Sequence, residues 1–187
     1  LSTSTMNDFP TLETERLHLR EIIPEDAATL FRIHSDADVM RYFGTNPMAD
    51  LTQAEALIEK WRNTPHPARR WGVARKSDQT LIGTCGFFRW NVDWSCAMLG
   101  YELDQQYWRQ GFMREALAAT LHWGFMEMGL NRIEAQVHPE NQASLQVLAT
   151  HGFVQEGLLR QAGYWAGKYQ DLLQHSLLRE EYSSPTL

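Results

Sequence analysis

At 187 residues and 43% hydrophobic content, the chain has the size of one domain, spanning 1–187, able to bury about 70% of its unfolded surface without disulfide or metal staples. Its formal charge of −6 argues against direct nucleic-acid binding, which rests on Lys and Arg neutralising phosphates, and suits a cationic partner better. Apolar runs far short of a bilayer span, and a start at Leu1-Ser2-Thr3-Ser4-Thr5-Met6 without the basic and apolar regions of a signal peptide, lead us to expect a cytoplasmic protein with no membrane contact.

An opening strand is expected over Thr14 to Arg20. Helical patterns then cover about Pro24 to Tyr42 and Leu51 to Arg62, separated by Gly44-Thr45-Asn46-Pro47 and followed by Pro65-His66-Pro67. Strands are expected near Arg70 to Arg75, Thr80 to Trp90 and Ser95 to Leu103, with a hairpin turn around Asn91 to Asp93. Cys85 and Cys96 fall on strands that could pair, yet two cysteines without an export signal read as buried thiols. The seven histidines show no metal-ligand spacing, so no metal is expected.

The most informative stretch begins after Leu103. Tyr107-Trp108-Arg109-Gln110-Gly111-Phe112-Met113-Arg114-Glu115-Ala116 opens a helix in which Leu117, Leu121, Phe125 and Met128 recur at helical spacing up to Gly129. The first turn of such a helix has unpaired N–H groups and the positive end of the macrodipole, and therefore attracts anions. Gly111 lets a pyrophosphate approach those amides, and Arg109 and Arg114 add cationic donors. Arg132 to His138 alternates like a strand. Pro139-Glu140-Asn141 then opens a helix through Ser144, Leu145 and Leu148 to a glycine stop at Gly152. Further strands are expected near Phe153 to Gln161 and Asp171 to Arg179, and a mixed α/β sheet with helices on both faces is the economical packing of this order.

The run Tyr-Trp-x-x-Gly-Phe-Met-x-Glu-Ala, followed by Asn-Arg-Ile-Glu-Ala-x-Val-x-Pro-x-Asn-x-x-Ser-x-x-Val-Leu and Gly-Phe, resembles the GNAT superfamily of acyl-CoA-dependent N-acetyltransferases. Within it, the RimJ/RimL-like branch, which includes ribosomal-protein N-terminal acetyltransferases, is the most similar. Thr14-Glu15-Arg16-Leu17-His18-Leu19-Arg20 with Pro24-Glu25-Asp26-Ala27 also resembles that branch's opening.

The resemblance implies a GNAT fold in which the strand ending at Leu103 splays from the strand starting at Arg132, leaving a gap for pantetheine. Acetyl-CoA is the implied cosubstrate. Backbone groups from Tyr101 to Leu103 would pair with the pantetheine amides and supply an oxyanion donor. Amides of Arg109, Gln110, Gly111, Phe112, Met113 and Arg114 would take the pyrophosphate. Asn141 would hold pantetheine, and Ser144 would protonate the departing thiolate; as residue types alone, both also suit a helix N-terminus.

Four positions depart from superfamily patterns. Trp108 and Met113 replace the commoner Gln or Arg and Gly or Ala of the cradle, as the branch often does. Met98 stands where many members place a basic glutamate, three residues before the aromatic of Ile-Gly-Tyr. Gly163 stands before Tyr164 where some ribosomal-protein acetyltransferases carry a further glutamate. Glu102 shares a strand face with Met98 and is the first candidate base, with Glu134 a second that reads more readily as structural.

No Ser or Cys sits in a nucleophile setting, so direct attack by a primary amine is expected. Deprotonating an α-amine of pKa about 8 at pH 7 costs roughly 1.4 kcal/mol, against roughly 4.6 for a lysine near 10.4. A protein N-terminal amine, such as that of a ribosomal protein, is therefore the easier acceptor. A small-molecule amine (antibiotic, polyamine or amino acid) and a non-catalytic acyl-CoA-binding module are the alternatives; a nucleoside-triphosphate enzyme fits poorly, because the cradle lacks a Gly-Lys-Ser/Thr loop end. Trp90, Trp94, Tyr164 and Trp165 read first as packing residues and second as an acceptor groove. His138 and His151 read as surface or cap residues, and either a monomer or a homodimer is compatible with the chain.

Overall fold

The computed structural model describes residues 9–63 and 70–183. The expected turn at Pro65-His66-Pro67 lies outside them, as does the Leu1 to Met6 segment. Thirteen regular elements follow in order, with two further short 3-10 turns: β1 (Leu12–Glu13), β2 (Leu17–Arg20), α1 (Ala27–His34), α2 (Ala37–Met40), α3 (Leu51–Asn63), β3 (Arg70–Arg75), β4 (Leu81–Asn91), β5 (Cys96–Leu103), α4 (Phe112–Met126), β6 (Arg132–Val137), α5 (Gln142–Thr150), β7 (Val154–Trp165) and β8 (Lys168–Leu178). They build one eight-stranded sheet in the order β1-β2-β3-β4-β5-β6-β8-β7.

Three expectations need correction. The opening strand is two short antiparallel strands, with Leu12 against Leu19. The first helical stretch breaks after His34, because the Asp36 side chain accepts from the N–H groups of Asp38 and Val39 and caps a new short helix. The third lies at the far end of the chain. What reads as a long connection before Asp171 is instead strand up to a two-residue turn at Ala166 and Gly167, both at positive φ (53° and 74°). Such φ values match the right-handed strand twist, but Ala-Gly is a weak sequence signature for them.

The sheet is mixed. All pairings are antiparallel except β5 with β6, which run parallel only at Cys96↔Arg132, Ala97↔Ile133 and Met98↔Glu134. Side chains alternate across β4 and β5 and so serve two covered faces. Cys85, Phe87, Leu99 and Tyr101 join the cluster containing Phe112, Leu117, Leu121 and Phe125 of α4. Thr84 and Glu102 point the other way, where Glu102 meets His34 of α1. A second cluster of Ile22, Ala27, Leu30, Ala54 and Ile58 joins α1 and α3 on that side. Both cysteines are free thiols, and burial pushes Cys85 up to about 12.

One polar clamp fixes where α4 begins. Glu115, in its first turn, accepts from the Arg16 backbone N–H (2.7 Å), from Arg16 Nε (2.7 Å) and from the Thr14 hydroxyl (2.5 Å). Its negative charge also suits the helix N-terminus. Burial raises the Glu115 carboxyl, but the hydrogen bonds from Thr14 and Arg16 outweigh it and hold the group below the ordinary value. Glu115→Ala removes all three contacts and leaves donors to find water. Chemical denaturation of this variant is expected to show a loss of about 2 kcal/mol; an unchanged midpoint would show that the clamp does not anchor α4.

Candidate active site

The cradle forms because the chain turns left-handed twice before α4. Arg109 has φ 60° and Gly111 φ 79°, and Gly111 is the N-cap residue without any side-chain cap. The first-turn N–H groups are thus left facing outward. An Arg16 guanidinium nitrogen lies only 3.4 Å from where a Gly111 Cβ would stand. Arg16 also donates to Gln110 O at 3.0 Å and lies 4.4 Å over the Phe112 ring. Arg109, Gln110 and Arg114 are exposed, whereas Phe112 and Met113 are each 8% exposed. Of these last two, only the backbone amides can meet a ligand; Met113 fills the core beneath, which is why the helix tolerates it in place of a small residue.

Trp108 has a definite task. Its indole N–H donates to Leu103 O at 2.7 Å, closing the end of β5 over the cradle turn. The gap lies next to this closure. Asp104 N–H donates to Ile82 O of β4, so by strand alternation the N–H and C=O groups of Leu99, Tyr101 and Leu103 point away from β4. Beyond Met98 that direction holds no paired strand, because β6 has parted to follow β8 through Val137↔Leu173. Apart from the Leu103 C=O, which Trp108 already holds, this row of backbone donors and acceptors faces an opening of the kind a ligand's amides can fill.

On one flank of the gap Asn141 caps α5, accepting from Ser144 N–H at 3.2 Å. The Ser144 hydroxyl lies 2.6 Å from the Tyr101 hydroxyl. Burial pushes the Tyr101 phenol up to about 12, against the lowering effect of its hydrogen bond with Ser144.

Glu102, next to Tyr101, points to the opposite face. Its Oε1 accepts from His34 Nε2 (3.0 Å) and from the Thr84 hydroxyl (2.5 Å), and its Oε2 is ion-paired with Arg70. Arg70 Nε in turn donates to Thr84 at 2.8 Å. Only 2% of the Glu102 side chain is exposed. Burial raises its carboxyl, but the Arg70 charge, the His34 charge and the hydrogen bonds from His34 and Thr84 prevail and hold it below the ordinary value. Glu134 is bound to Arg132 Nε at 2.8 Å.

Comparison with known proteins agrees with this geometry. The model of the acetyltransferase (GNAT) domain matches residues 16–154. The chain belongs to the GNAT acetyltransferase family. It is 38% identical over 173 residues to the Bacillus subtilis (strain 168) N-acetyltransferase YoaA, itself uncharacterised, covering 91% of this chain and 98% of that one. Among solved structures, a GNAT-family acetyltransferase from Bacillus anthracis superposes with a TM-score of 0.82 at 26% identity, over 92% of this chain and 100% of that one. The spermidine N-acetyltransferase of Vibrio cholerae, in complex with CoA and spermine, shares the fold at a TM-score of 0.79 and 24% identity, over 89% of this chain and 97% of that one. The protein is accordingly an acetyl-CoA-dependent N-acetyltransferase.

In this acetyltransferase, three residues that sequence reading left out of the site belong to its frame. Arg16 was visible only as part of Thr-Glu-Arg; Arg70 and His34 carry no local signature, because Glu102 gathers them from 32 and 68 residues away. The four aromatics divide. Trp165 is 4% exposed and donates to Arg41 O at 3.0 Å, and Trp90 packs on the main core. Trp94 and Tyr164, in contrast, are 77% and 62% exposed, which corrects the packing reading for both. Gly163 also acquires a reason: a Cβ there would lie 2.4 Å from the Trp165 ring. A glutamate at 163 would displace that indole. His138 accepts from Glu140 N–H through Nδ1 (3.2 Å), which leaves Nε2–H to donate to Gln170 (3.2 Å), so neither nitrogen keeps a lone pair for proton abstraction. His151 caps α5.

No helix among the described residues is long and apolar enough to cross a membrane. Among the same residues, no three His, Cys, Asp or Glu side chains gather as a metal site.

The acetyltransferase's Arg70–Glu102 pair generates a pH-dependent prediction. Because the folded Glu102 carboxyl sits below its unfolded value, its stabilisation is present above about pH 4.3 and is lost as pH falls through the lower folded value. Glu102→Gln leaves Arg70 buried without its counter-ion and is expected to cost about 3 kcal/mol or more near pH 7. The gap between variant and parent should narrow as pH falls below about 4. Thermal melts across pH check this; a constant difference down to pH 3 would show that the pair carries no linked charge.

Proposed function

We propose that the enzyme transfers acetyl from acetyl-CoA to a protein α-amine, in the manner of the RimJ/RimL-like branch, by direct attack of the neutral amine on the thioester. The observation that carries this reading is the state of β5: Met98 occupies the strand position where many relatives carry a base, and both Glu102 oxygens are engaged in a buried ion pair. A carboxylate held below its usual pKa and fully partnered is a poor proton acceptor. Glu102 is better suited to holding Arg70 and His34 behind the acceptor side of β5. An amine already partly neutral at pH 7 then needs orientation more than a base, and good orientation is worth up to about 7–11 kcal/mol. The motifs Thr14 to Arg20 and Asn141 to Leu148 support the branch reading, and Gly163 with Trp165 sets this chain apart from the members that carry a glutamate there. A cytoplasmic location belongs to the same reading.

In this scheme the amides from Arg109 to Arg114 receive the pyrophosphate, with Arg109, Arg114 and Arg16 as cationic neighbours. Backbone groups of Tyr101 and Leu103 pair with the pantetheine amides, and one strand N–H points at the thioester oxygen. Asn141, whose Oδ1 is spent on its own cap, offers its amide N–H groups to pantetheine. Ser144 supplies a proton to the leaving sulfur.

Gly111→Val tests the cradle. A β-branched residue at φ 79° is strained, and refolding the turn would remove the amides from the pyrophosphate. Calorimetry with CoA on the folded variant is expected to show binding weakened on the order of tenfold to a hundredfold. Unchanged affinity would place the nucleotide elsewhere.

The acceptor is tested by mass spectrometry of a panel containing N-terminal peptides, matched lysine peptides, spermidine and an aminoglycoside. N-terminal products should dominate, with the rate rising as pH nears the α-amine pKa of about 8. Predominant lysine or polyamine acetylation would overturn the N-terminal reading.

A further inference from the structure

The Tyr101 side chain is unexplained by a strand that serves the substrate through its backbone alone. Its ring packs against the main core, on the face of β5 opposite Glu102. Its hydroxyl reaches across to α5 and meets Ser144 Oγ at 2.6 Å, short even for two hydroxyls. Ser144 is otherwise fixed through its backbone N–H by Asn141. One strand residue thus borders the gap with its N–H and C=O and, through its side chain, meets the hydroxyl of the residue that the acetyl-transfer reading sets beside the departing sulfur.

We propose that Tyr101 is a positioning residue for thiol departure: its O–H donates to Ser144 Oγ, which turns the Ser144 O–H toward the sulfur. This rests on the acetyl-transfer reading. The hydroxyl pair has two hydrogens and, with one spent between the oxygens, a single outward donor. If Tyr101 donates, that outward hydrogen belongs to Ser144. A phenol pushed up to about 12 keeps its proton at neutral pH and so has one to donate. In the transfer step the amine lone pair forms the C–N bond while the C–S bond breaks, its electron pair going to sulfur. Sulfur takes the Ser144 proton, and the proton lost by the amine returns to Ser144 through solvent. Tyr101 keeps its own proton and stabilises the transient negative charge on Oγ.

The arrangement makes a prediction that needs no acceptor. A Ser144 O–H aimed at the sulfur lowers the thiol pKa of bound CoA below the free value of about 8.5. The probe is CoA, titrated by the ultraviolet absorbance of its thiolate on the intact protein, with calorimetry for affinity. Tyr101→Phe, Ser144→Ala and the double variant are compared with the parent, each checked for folding by circular dichroism.

Expected is a bound thiol pKa raised by about one unit in each single variant and by no more in the double variant, with CoA affinity within about threefold of the parent. With any acceptor that turns over, Tyr101→Phe should lower kcat about tenfold at constant KM for acetyl-CoA. A Tyr101→Phe variant that keeps the parent's thiol pKa while Ser144→Ala loses it would overturn the role of Tyr101 alone. Additive shifts in the double variant would do the same. If Ser144→Ala leaves the thiol unchanged, Ser144 and Tyr101 both leave the mechanism while acetyl transfer stands. Failure of CoA to bind the parent protein would remove the acetyl-transfer reading together with the proposal.

Discussion

The site depends on the parting of β5 from β6. Their parallel pairing ends at Met98↔Glu134, and from there each strand keeps faith with its other neighbour: β5 with β4 through Gly83↔Leu103, β6 with β8 through Val137↔Leu173. Backbone groups inside a protein must be partnered. The groups that this opening leaves unpaired must therefore meet water or a ligand with amide-like donors and acceptors. The turn before α4 and the cap of α5 both border this opening, Trp108 through Leu103 O and Ser144 through the Tyr101 hydroxyl, so their placement is set by where the strands divide.

Alternation along β5 gives the opening two different flanks. Tyr101 points its side chain to the α5 side and Glu102 to the α1 side, while the N–H and C=O of Tyr101 face the gap. The Tyr101–Ser144 hydroxyl pair and the Glu102 carboxylate are thereby held on opposite faces of one strand. On the α1 side the ion pair of Glu102 with Arg70, supported by His34 and Thr84, carries a large desolvation cost that it offsets only because every oxygen is bonded. Such a network gives little net stability. Its value lies in fixing the spacing between α1, β3, β4 and β5.

The β7–β8 hairpin closes the same side. Trp165 reaches Arg41 O, Ala166 N–H donates to Asn46 Oδ1 at 2.8 Å, and Tyr42 stacks on His138 with ring centroids 4.8 Å apart. These contacts join the segment after α2 to the end of β6 and to the hairpin turn. Gly163 is required for Trp165 to lie as it does, so a glutamate at 163 and this indole position exclude each other. The exposed Tyr164 and Tyr169, in edge-to-face contact at 5.0 Å, are left on the outer side of that turn.

The sequence by itself determined the elements whose physics is local. Hydrophobic period, Gly111 at the start of α4, Asn141 at the start of α5 and the apolar strands around Cys85 and Leu99 act over a few residues, and they were legible as cradle, cap and sheet. The turn at Ala166-Gly167 was not, since nothing local forces an alanine to positive φ; the pairing of Trp165 with Lys168 does so. Glu102 shows the limit most clearly. Strand parity gave its face correctly, but whether a carboxylate on that face is an open base or a buried counter-ion depends on Arg70 and His34, which only the packing of α1 and β3 against β5 brings to it. The same holds for Ser144, whose helix position is local and whose 2.6 Å partner, 43 residues away, is decided by the meeting of α5 with β5. Short-range order is written in neighbouring side chains, whereas the charge state and orientation of a functional group are set by whatever the tertiary fold places against it.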